Sequence, residues 1–285
     1  MDCFELDNIV VGGDELFFIM GPCVIESEEQ IMRSAEEISN IRKKTGAQII
    51  FKSSFDKANR TSIDSYRGPG LEEGLKILEK AGNSFDLPLI TDVHLPKQSE
   101  PAAEVVDVLQ IPAFLCRQTD HLVSAAKTGV PVNVKKGQFM DPENMTSILD
   151  KARSVGNDRL MVTERGTVFG YNNWVVDMRN LQIMRQSGGA VIYDATHSIQ
   201  LPGAKGDASG GEREFIAPQA RAAVATGLDG IFLETHPNPD DALCDGPNQL
   251  PLKKALDLVQ QLQEIHNLTG EYRSDPLIPG GYSRE

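Results

Sequence analysis

Six cations stand where short apolar runs break into polar residues: Lys52, Lys57 and Arg60 after IIF (49–51), Lys135 and Lys136 after VNV (132–134), and Arg165 after LMVTE (160–164). Gathered at one place they would hold two or more phosphate or carboxylate groups. Scattered, they would be solvated surface charges, the usual fate of lysine. A second set is Cys23, His197, Glu234 and Asp245. One thiolate, one imidazole and two carboxylates suit a divalent transition metal. The spacing forms no compact motif, so Cys23 as a small buried apolar residue and His197 as a substrate-binding or core histidine stay open. Asp92, His94 and His236 are candidates for hydroxyl contacts or proton handling. His121 and His266 fall inside helical patterns and read as surface residues, and Cys3, Cys116 and Cys244 have no evident partner.

These residues need elements that aim them at one point. Seven apolar runs end in reactive side chains: 17–23, 49–60, 89–94, 132–136, 160–166, 191–197 and 231–237, with a looser eighth at 105–117. Between them lie stretches of helical periodicity at 27–46, 71–82, 97–105, 120–129, 141–156, 175–189, 217–227 and 252–270. In the first, Ile31, Ala35, Ile38 and Ile41 share a face, Ser27 and Gln30 fit a capping box, and Gly46 is a stop. Pro101 limits the third. Alternation at this density predicts a parallel sheet. A doubly wound sheet would concentrate ligands at one switch point, whereas here reactive residues end nearly every strand. The expected fold is therefore a single-domain α/β (β/α)8 barrel over 1–285, with its site at the C-terminal rim. Residues 1–14 read as a short β-hairpin that plugs the opposite mouth, 201–214 as a lid or an ordinary long connection, and 271–285 as a loosely held tail.

Composition narrows the partners. A net charge of −13 over 285 residues argues against nonspecific nucleic-acid or anionic-membrane binding, though not against small anions met by local cations. The four cysteines form no CxxC pair or disulfide framework, the first residues lack a signal-peptide pattern, and no run is long enough to span a bilayer. A cytoplasmic protein is expected. No GxSxG, GxGxxG or GxxxxGK[ST] motif occurs, so nucleophile-elbow, dinucleotide and P-loop chemistries find no support.

The run FKSSFDKANRTSIDSYRGPGLEEG (51–74) resembles the 3-deoxy-D-manno-octulosonate 8-phosphate synthases, also named 2-dehydro-3-deoxyphosphooctonate aldolases. So do GPCVIES (21–27), ITDVH (90–94), QIPAFLCRQTD (110–120), NVKKGQF (133–139), TERGTVFGYNN (163–173), YDATHSIQLPG (193–203) and ETHP (234–237), in order along nearly the whole chain. KANRTS (57–62) separates the chain from the heptulosonate 7-phosphate synthases, which carry a KPRTS-like run there; sialic-acid-type synthases and a catalytically silent sugar-phosphate-binding barrel are more distant readings.

The resemblance implies a (β/α)8 barrel, usually a homotetramer. The implied enzyme is a transferase condensing phosphoenolpyruvate with D-arabinose 5-phosphate and water, an early step toward lipopolysaccharide sugar. By matching positions it implies Lys57, Lys135 and Arg165 on phosphoenolpyruvate with Lys52, Ser54 and Gln138 beside it, and Asn59 and Asp92 at the sugar hydroxyls. Arg60 and Thr61 would take the pentose phosphate, joined by Arg117 of a neighbouring subunit, and Lys135 is the candidate proton donor. In the metal-dependent branch Cys23, His197, Glu234 and Asp245 would hold zinc, iron, manganese, cobalt or cadmium. CDGPNQLPL (244–252) looks more like the metal-free branch.

Overall fold

The structure is a computed structural model that describes residues 3–60, 62–201 and 210–270. Eight strands form its centre: β1 Phe17–Gly21, β2 Gln48–Lys52, β3 Leu89–Asp92, β4 Val108–Ile111, β5 Val132–Lys135, β6 Leu160–Glu164, β7 Ala190–Asp194 and β8 Gly230–His236. Each pairs in parallel with the next, and β8 pairs with β1, closing a barrel. Eight helices alternate with them: α1 Glu28–Thr45, α2 Leu71–Phe85, α3 Ser99–Ala103, α4 Thr119–Lys127, α5 Met145–Arg153, α6 Arg179–Arg185, α7 Ile216–Thr226 and α8 Ala255–Thr269. The expected (β/α)8 architecture is what the chain adopts.

Period-two alternation sorts the strand residues. Phe17, Ile19, Ile50, Ile90, Val108, Met161, Ile192 and Phe232 form one cluster inside the barrel, while Phe18, Met20, Ile49, Phe51, Val134 and Val162 belong to the larger core beneath the helices. Inside, the lower half is apolar. The N-terminal hairpin, Phe4–Leu6 against Ile9–Val11, adds Leu6, Ile9 and Val11 to that inner cluster, as a plug at this mouth would. Continuing the same parity up each strand brings Lys52, Asp92, Gln110, Asn133, Lys135, Thr163, Asp194 and Glu234 to the inner face of the upper half, where their hydrogen bonds interconnect.

Helix boundaries follow identifiable signals. Ser27 caps α1 by accepting from the Gln30 amide, and Gly46 ends it at φ 67° in the left-handed region. The second half of the expected capping box differs, since the Gln30 side chain accepts from Glu26 rather than from Ser27. The 175–189 helix begins only at Arg179, because Trp174–Val175 pairs with Thr167–Val168 in a small antiparallel ribbon. Helix α2 runs past Gly82 to Phe85 and is capped by Asp86 at φ 53°. In the 201–214 segment, Gln200–Leu201 pairs with Gly210–Gly211; residues 202–209 and the 271–285 tail lie outside the described residues.

One glycine sets the height of the site. Gly21 ends β1 at φ 154°, and a Cβ built on it would stand 1.9 Å from the Lys52 carbonyl oxygen. Gly21→Ala is expected to force β1 and β2 apart beneath Cys23 and Lys52. It should lower the denaturation midpoint and substrate affinity together; an unchanged midpoint in a urea titration would contradict this.

Candidate active site

The upper barrel interior holds a buried network of alternating charge. Lys52, fully enclosed from the end of β2, puts Nζ 2.7 Å from Glu234 Oε1, 3.2 Å from the Cys23 carbonyl and 3.5 Å from Asp92 Oδ2. Lys57 Nζ approaches the same two carboxylates at 3.8 Å. Ser54 Oγ donates to Asp92 in a short hydrogen bond. Asp92 is steadied on its other oxygen by Gln110, which accepts from Asn133, which in turn accepts from Thr163. This ladder crosses β3 to β6 and leaves Asp92 little rotational freedom.

Electrostatics keep both carboxylates ionised. Burial alone would raise them, but Lys52 and Lys57 hold Asp92 well below the ordinary carboxylate range; Lys52, with His197 and Lys57, does the same to Glu234. Burial opposes the charge of Lys52 and Lys57 too. Glu234 raises Lys52, and Cys23, Glu234 and Asp92 raise Lys57, so both end above the ordinary lysine value.

Lys135 behaves differently. Its Nζ lies 2.5 Å from Asp194 Oδ2, 3.4 Å from His197 Nδ1 and 3.6 Å from the centre of the Phe232 ring. Burial pulls its pKa below the usual lysine value despite Asp194 and Glu234. Lys52 adds to that lowering. Strand parity turns Lys136 outward, where Nζ donates to Gly166 O and Thr167 Oγ1 and lies 3.4 Å from Glu164, so it does not join the cations at the mouth. Arg165 does: it is buried, donates one bond to Gln200, and leaves Nη1 without a partner, as Gln138 leaves its buried Oε1. Buried donors and acceptors without a protein partner are groups a substrate can bond.

The four proposed ligand residues fall, together with Cys244, into two groups sharing Asp245. His197, Glu234 and Asp245 form one, Cys23, Cys244 and Asp245 the other, with ligand atoms inside each group within 4.8 Å of one another. Asp194 accepts from His197 Nδ1 at 2.7 Å, directing Nε2 toward Glu234 Oε2 at 3.5 Å; that oxygen is buried without a hydrogen-bond partner. A histidine oriented by a carboxylate, beside an orphaned carboxylate oxygen, is the donor arrangement a metal would satisfy. Asp245 reaches the site from a left-handed backbone position, φ 48°, uncommon for a residue with a side chain.

Other expected positions separate. Asn59 is exposed beyond β2, and Arg117 is exposed after β4. Thr61 lies outside the described residues. Arg60 reaches Cys244 Sγ at 2.8 Å and Asp245 Oδ1 at 3.6 Å. His94 packs edge-on against Phe55, and His236 sits 3.5 Å from Glu26. His121 and His266 are buried, not surface residues: their Nε2 atoms bond the Val93 and Asp14 carbonyls, because each lies on the inner face of its helix. Cys244, expected to lack a partner, lies 3.1 Å from Cys23 Sγ. Asp194 was not singled out in the sequence, although its parity with Ile192 at the end of β7 marks it as inward-facing.

A closed parallel barrel whose C-terminal rim gathers buried cations, ionised carboxylates and soft metal donors defines a barrel enzyme built for anionic substrates. The DAHP synthetase I family model matches residues 3–271. Relatives named 2-dehydro-3-deoxyphosphooctonate aldolase include those of Trichlorobacter lovleyi, 56% identical over 89% of this chain and 93% of the relative, and Geobacter metallireducens, 56% identical over 91% and 96%. That of Desulfotalea psychrophila is 55% identical over 91% and 92%. The chain belongs to the DAHP synthetase I family and, within it, to the 2-dehydro-3-deoxyphosphooctonate aldolases.

Proposed function

We propose that this enzyme condenses phosphoenolpyruvate with D-arabinose 5-phosphate and water, giving 3-deoxy-D-manno-octulosonate 8-phosphate and inorganic phosphate for lipopolysaccharide sugar synthesis. The carrying observation is the upper-barrel cluster: Lys52, Lys135 and Arg165 buried at one rim, the partly exposed Lys57 beside them, and Asp92 and Glu234 ionised among these cations. Two phosphates and a carboxylate need such cations. Lys57, Lys135 and Arg165 hold phosphoenolpyruvate, with Lys52, Ser54 and Gln138 beside them; Asn59 and Asp92 face the sugar hydroxyls, and Arg60 and Thr61 take its phosphate.

In this reading C3 of the enol attacks the aldehyde, water adds at C2, and the hemiketal phosphate loses phosphate by C–O cleavage. Lys135 protonates the developing alkoxide, a role its lowered pKa suits. Asp194 holds Lys135 and His197 in place, and the surrounding lysines stabilise negative charge as it develops. Cys23, His197, Glu234 and Asp245 hold a divalent ion, with zinc, iron, manganese, cobalt and cadmium all compatible with mixed sulfur, nitrogen and oxygen donors. When bound, the ion supplies Lewis-acid polarisation of the aldehyde or water. The test is product analysis: the eight-carbon 3-deoxy acid phosphate should form only with both substrates, and its absence with both present would refute the assignment.

The enzyme is further proposed to act in the cytoplasm as a homotetramer. No described helix is long and apolar enough to cross a membrane. Phe114, Phe139 and Phe169, following β4, β5 and β6 in turn, are each more than half exposed, and Arg117 lies on the same β4 loop. Exposed aromatic side chains on adjacent loops suit a contact between copies. Phe114→Glu is expected to shift the mass in sedimentation toward smaller species, and Arg117→Ala to raise KM for the pentose phosphate; an unchanged mass and an unchanged KM would contradict the interface.

A further inference from the structure

Lys136 is turned away from the rim by strand parity, yet it is wholly enclosed, and so is its partner Glu164. Val134 and Val162, which share their outer face, belong to the core beneath the helices, so a charged pair here is out of keeping with its surroundings. Every polar side-chain atom of the pair is engaged. Lys136 Nζ lies 3.2 Å from Gly166 O and from Thr167 Oγ1, and 3.4 Å from Gly137 O and from Glu164 Oε1. Glu164 Oε1 accepts from the Gly166 amide at 2.6 Å, and Oε2 from Asn180 Nδ2, at the start of α6, at 3.0 Å. A buried ion pair contributes little net stability, since apolar residues of similar volume often serve as well. What this one supplies is position. Directly after Arg165, the amide and the carbonyl of Gly166 are both held, one by each member of the pair. Gly166 stands at φ 96°, where a Cβ would come within 3.2 Å of Trp174 Cβ. Trp174 in turn lies against Arg165, its ring centre 5.5 Å from the guanidinium carbon.

We propose that the Lys136–Glu164 pair is a positioning device: it fixes the turn that carries Arg165, and so sets the affinity for phosphoenolpyruvate without touching that substrate. The proposal rests on the assignment of Arg165 to phosphoenolpyruvate. A guanidinium bonds phosphate or carboxylate through a planar fork, which tolerates little displacement. Among the described residues only Gln200 hydrogen-bonds the Arg165 guanidinium, and Nη1 is left for a ligand. The aim of the fork therefore depends on the backbone beneath it. Lys136 and Glu164 clamp that backbone from the outer face of the barrel, where neither can reach substrate. Asn180 ties the clamp to α6, and the Lys136 amide, donating to the Thr163 carbonyl at 2.8 Å, ties it to β6. The pentose side is not involved, because Asn59 and Arg60 follow β2, on the opposite side of the closed ring from β6. Loosening the clamp should thus be felt by one substrate and not the other.

The test titrates the full-length enzyme with phosphoenolpyruvate alone, read by the fluorescence of Trp174, the chain's only tryptophan, and by initial rates as KM. Lys136→Met combined with Glu164→Gln removes both charges together, so no uncompensated ion is left, and keeps an acceptor for the Gly166 amide. It should weaken phosphoenolpyruvate binding about 10–100-fold, while KM for the pentose phosphate stays at the wild-type value. In an Arg165→Ala background the same two substitutions should add less than about twofold, because the group they act through is absent. Equal losses in both backgrounds, a pentose KM raised in step, or wild-type phosphoenolpyruvate affinity would each overturn the proposal. Thr167→Val, which removes one acceptor of Lys136, is the milder variant should the double one not fold. It should weaken phosphoenolpyruvate binding at an unchanged urea midpoint, and wild-type affinity would overturn the proposal. Arg165→Ala by itself reports on the underlying assignment. If it leaves phosphoenolpyruvate binding intact, Arg165 is not a substrate residue and both readings fall. If it weakens binding and the Lys136→Met, Glu164→Gln enzyme does not, the assignment stands and the positioning role alone falls.

Discussion

Lys135→Met is expected to lower kcat roughly 10²–10⁴-fold, the usual contribution of a positioned acid or base, while the protein keeps its fold. The methionine keeps an unbranched side chain of similar length and removes the ammonium, whose Nζ lies 3.6 Å from the centre of the Phe232 ring. The substitution leaves Asp194 with four donors, the amide and hydroxyl of Thr196 and the amide and ring of His197, so its carboxylate stays satisfied. KM for phosphoenolpyruvate should rise less than kcat falls, since Lys57 and Arg165 still provide charge. Because burial lowers the Lys135 pKa, the wild-type kcat should decline with rising pH before the ordinary lysine value, as the proton it donates is lost. The variant should lack that limb. An unchanged kcat would remove Lys135 from the proton-donor role.

Lys52→Met tests the electrostatic core and should cost about 3–5 kcal/mol of stability, the range for removing one partner of a buried ion pair. Two enclosed carboxylates would lose their nearest cation: Glu234 at 2.7 Å and Asp92 at 3.5 Å. The pH dependence has a defined sign. Asp92 and Glu234 have depressed folded values, so their contribution is complete above the unfolded value of about 4 and declines as pH falls through the folded values. Lys52 and Lys57 have raised folded values, so theirs is complete below about 10.4 and declines as pH rises through the folded values. Wild-type stability from this cluster should therefore be level between those limits. Lys52→Met should lower the whole plateau and bring the acid decline to higher pH, as the carboxylates lose their stabilising neighbour. Urea midpoints measured across pH would check both; a loss below 1 kcal/mol would contradict the buried-pair account.

Much of this was legible because barrel strands write their function at one end. Lys52, Asp92, Lys135, Arg165 and Glu234 end apolar runs, and the alternation of those runs already assigns them to one face. The same rule, applied to neighbours, distinguishes Lys135 from Lys136; reading the pair as two active-site cations ignored that successive side chains point to opposite sides of a strand. Asp194 was available on the same grounds. Cys244 was not: its partner is 221 positions away and joins it through the loops over β1 and β8, whose conformation no local pattern encodes. His121 and His266 look like surface residues because helical periodicity counts histidine as polar, yet each buries its ring against a backbone carbonyl. Helix ends were least legible where a competing pairing intervened, as when Val175 joins Thr167 instead of beginning α6.

The central claim is that this rim is shaped for a five-carbon aldehyde phosphate. Phosphate release from phosphoenolpyruvate, measured as kcat/KM with D-arabinose 5-phosphate and with D-erythrose 4-phosphate, before and after chelation and zinc return, tests it most directly. The account predicts turnover with the pentose far above that with the tetrose, lost on chelation and restored by zinc. Preference for the tetrose would contradict the substrate assignment, and pentose turnover indifferent to chelator would contradict the metal at Cys23.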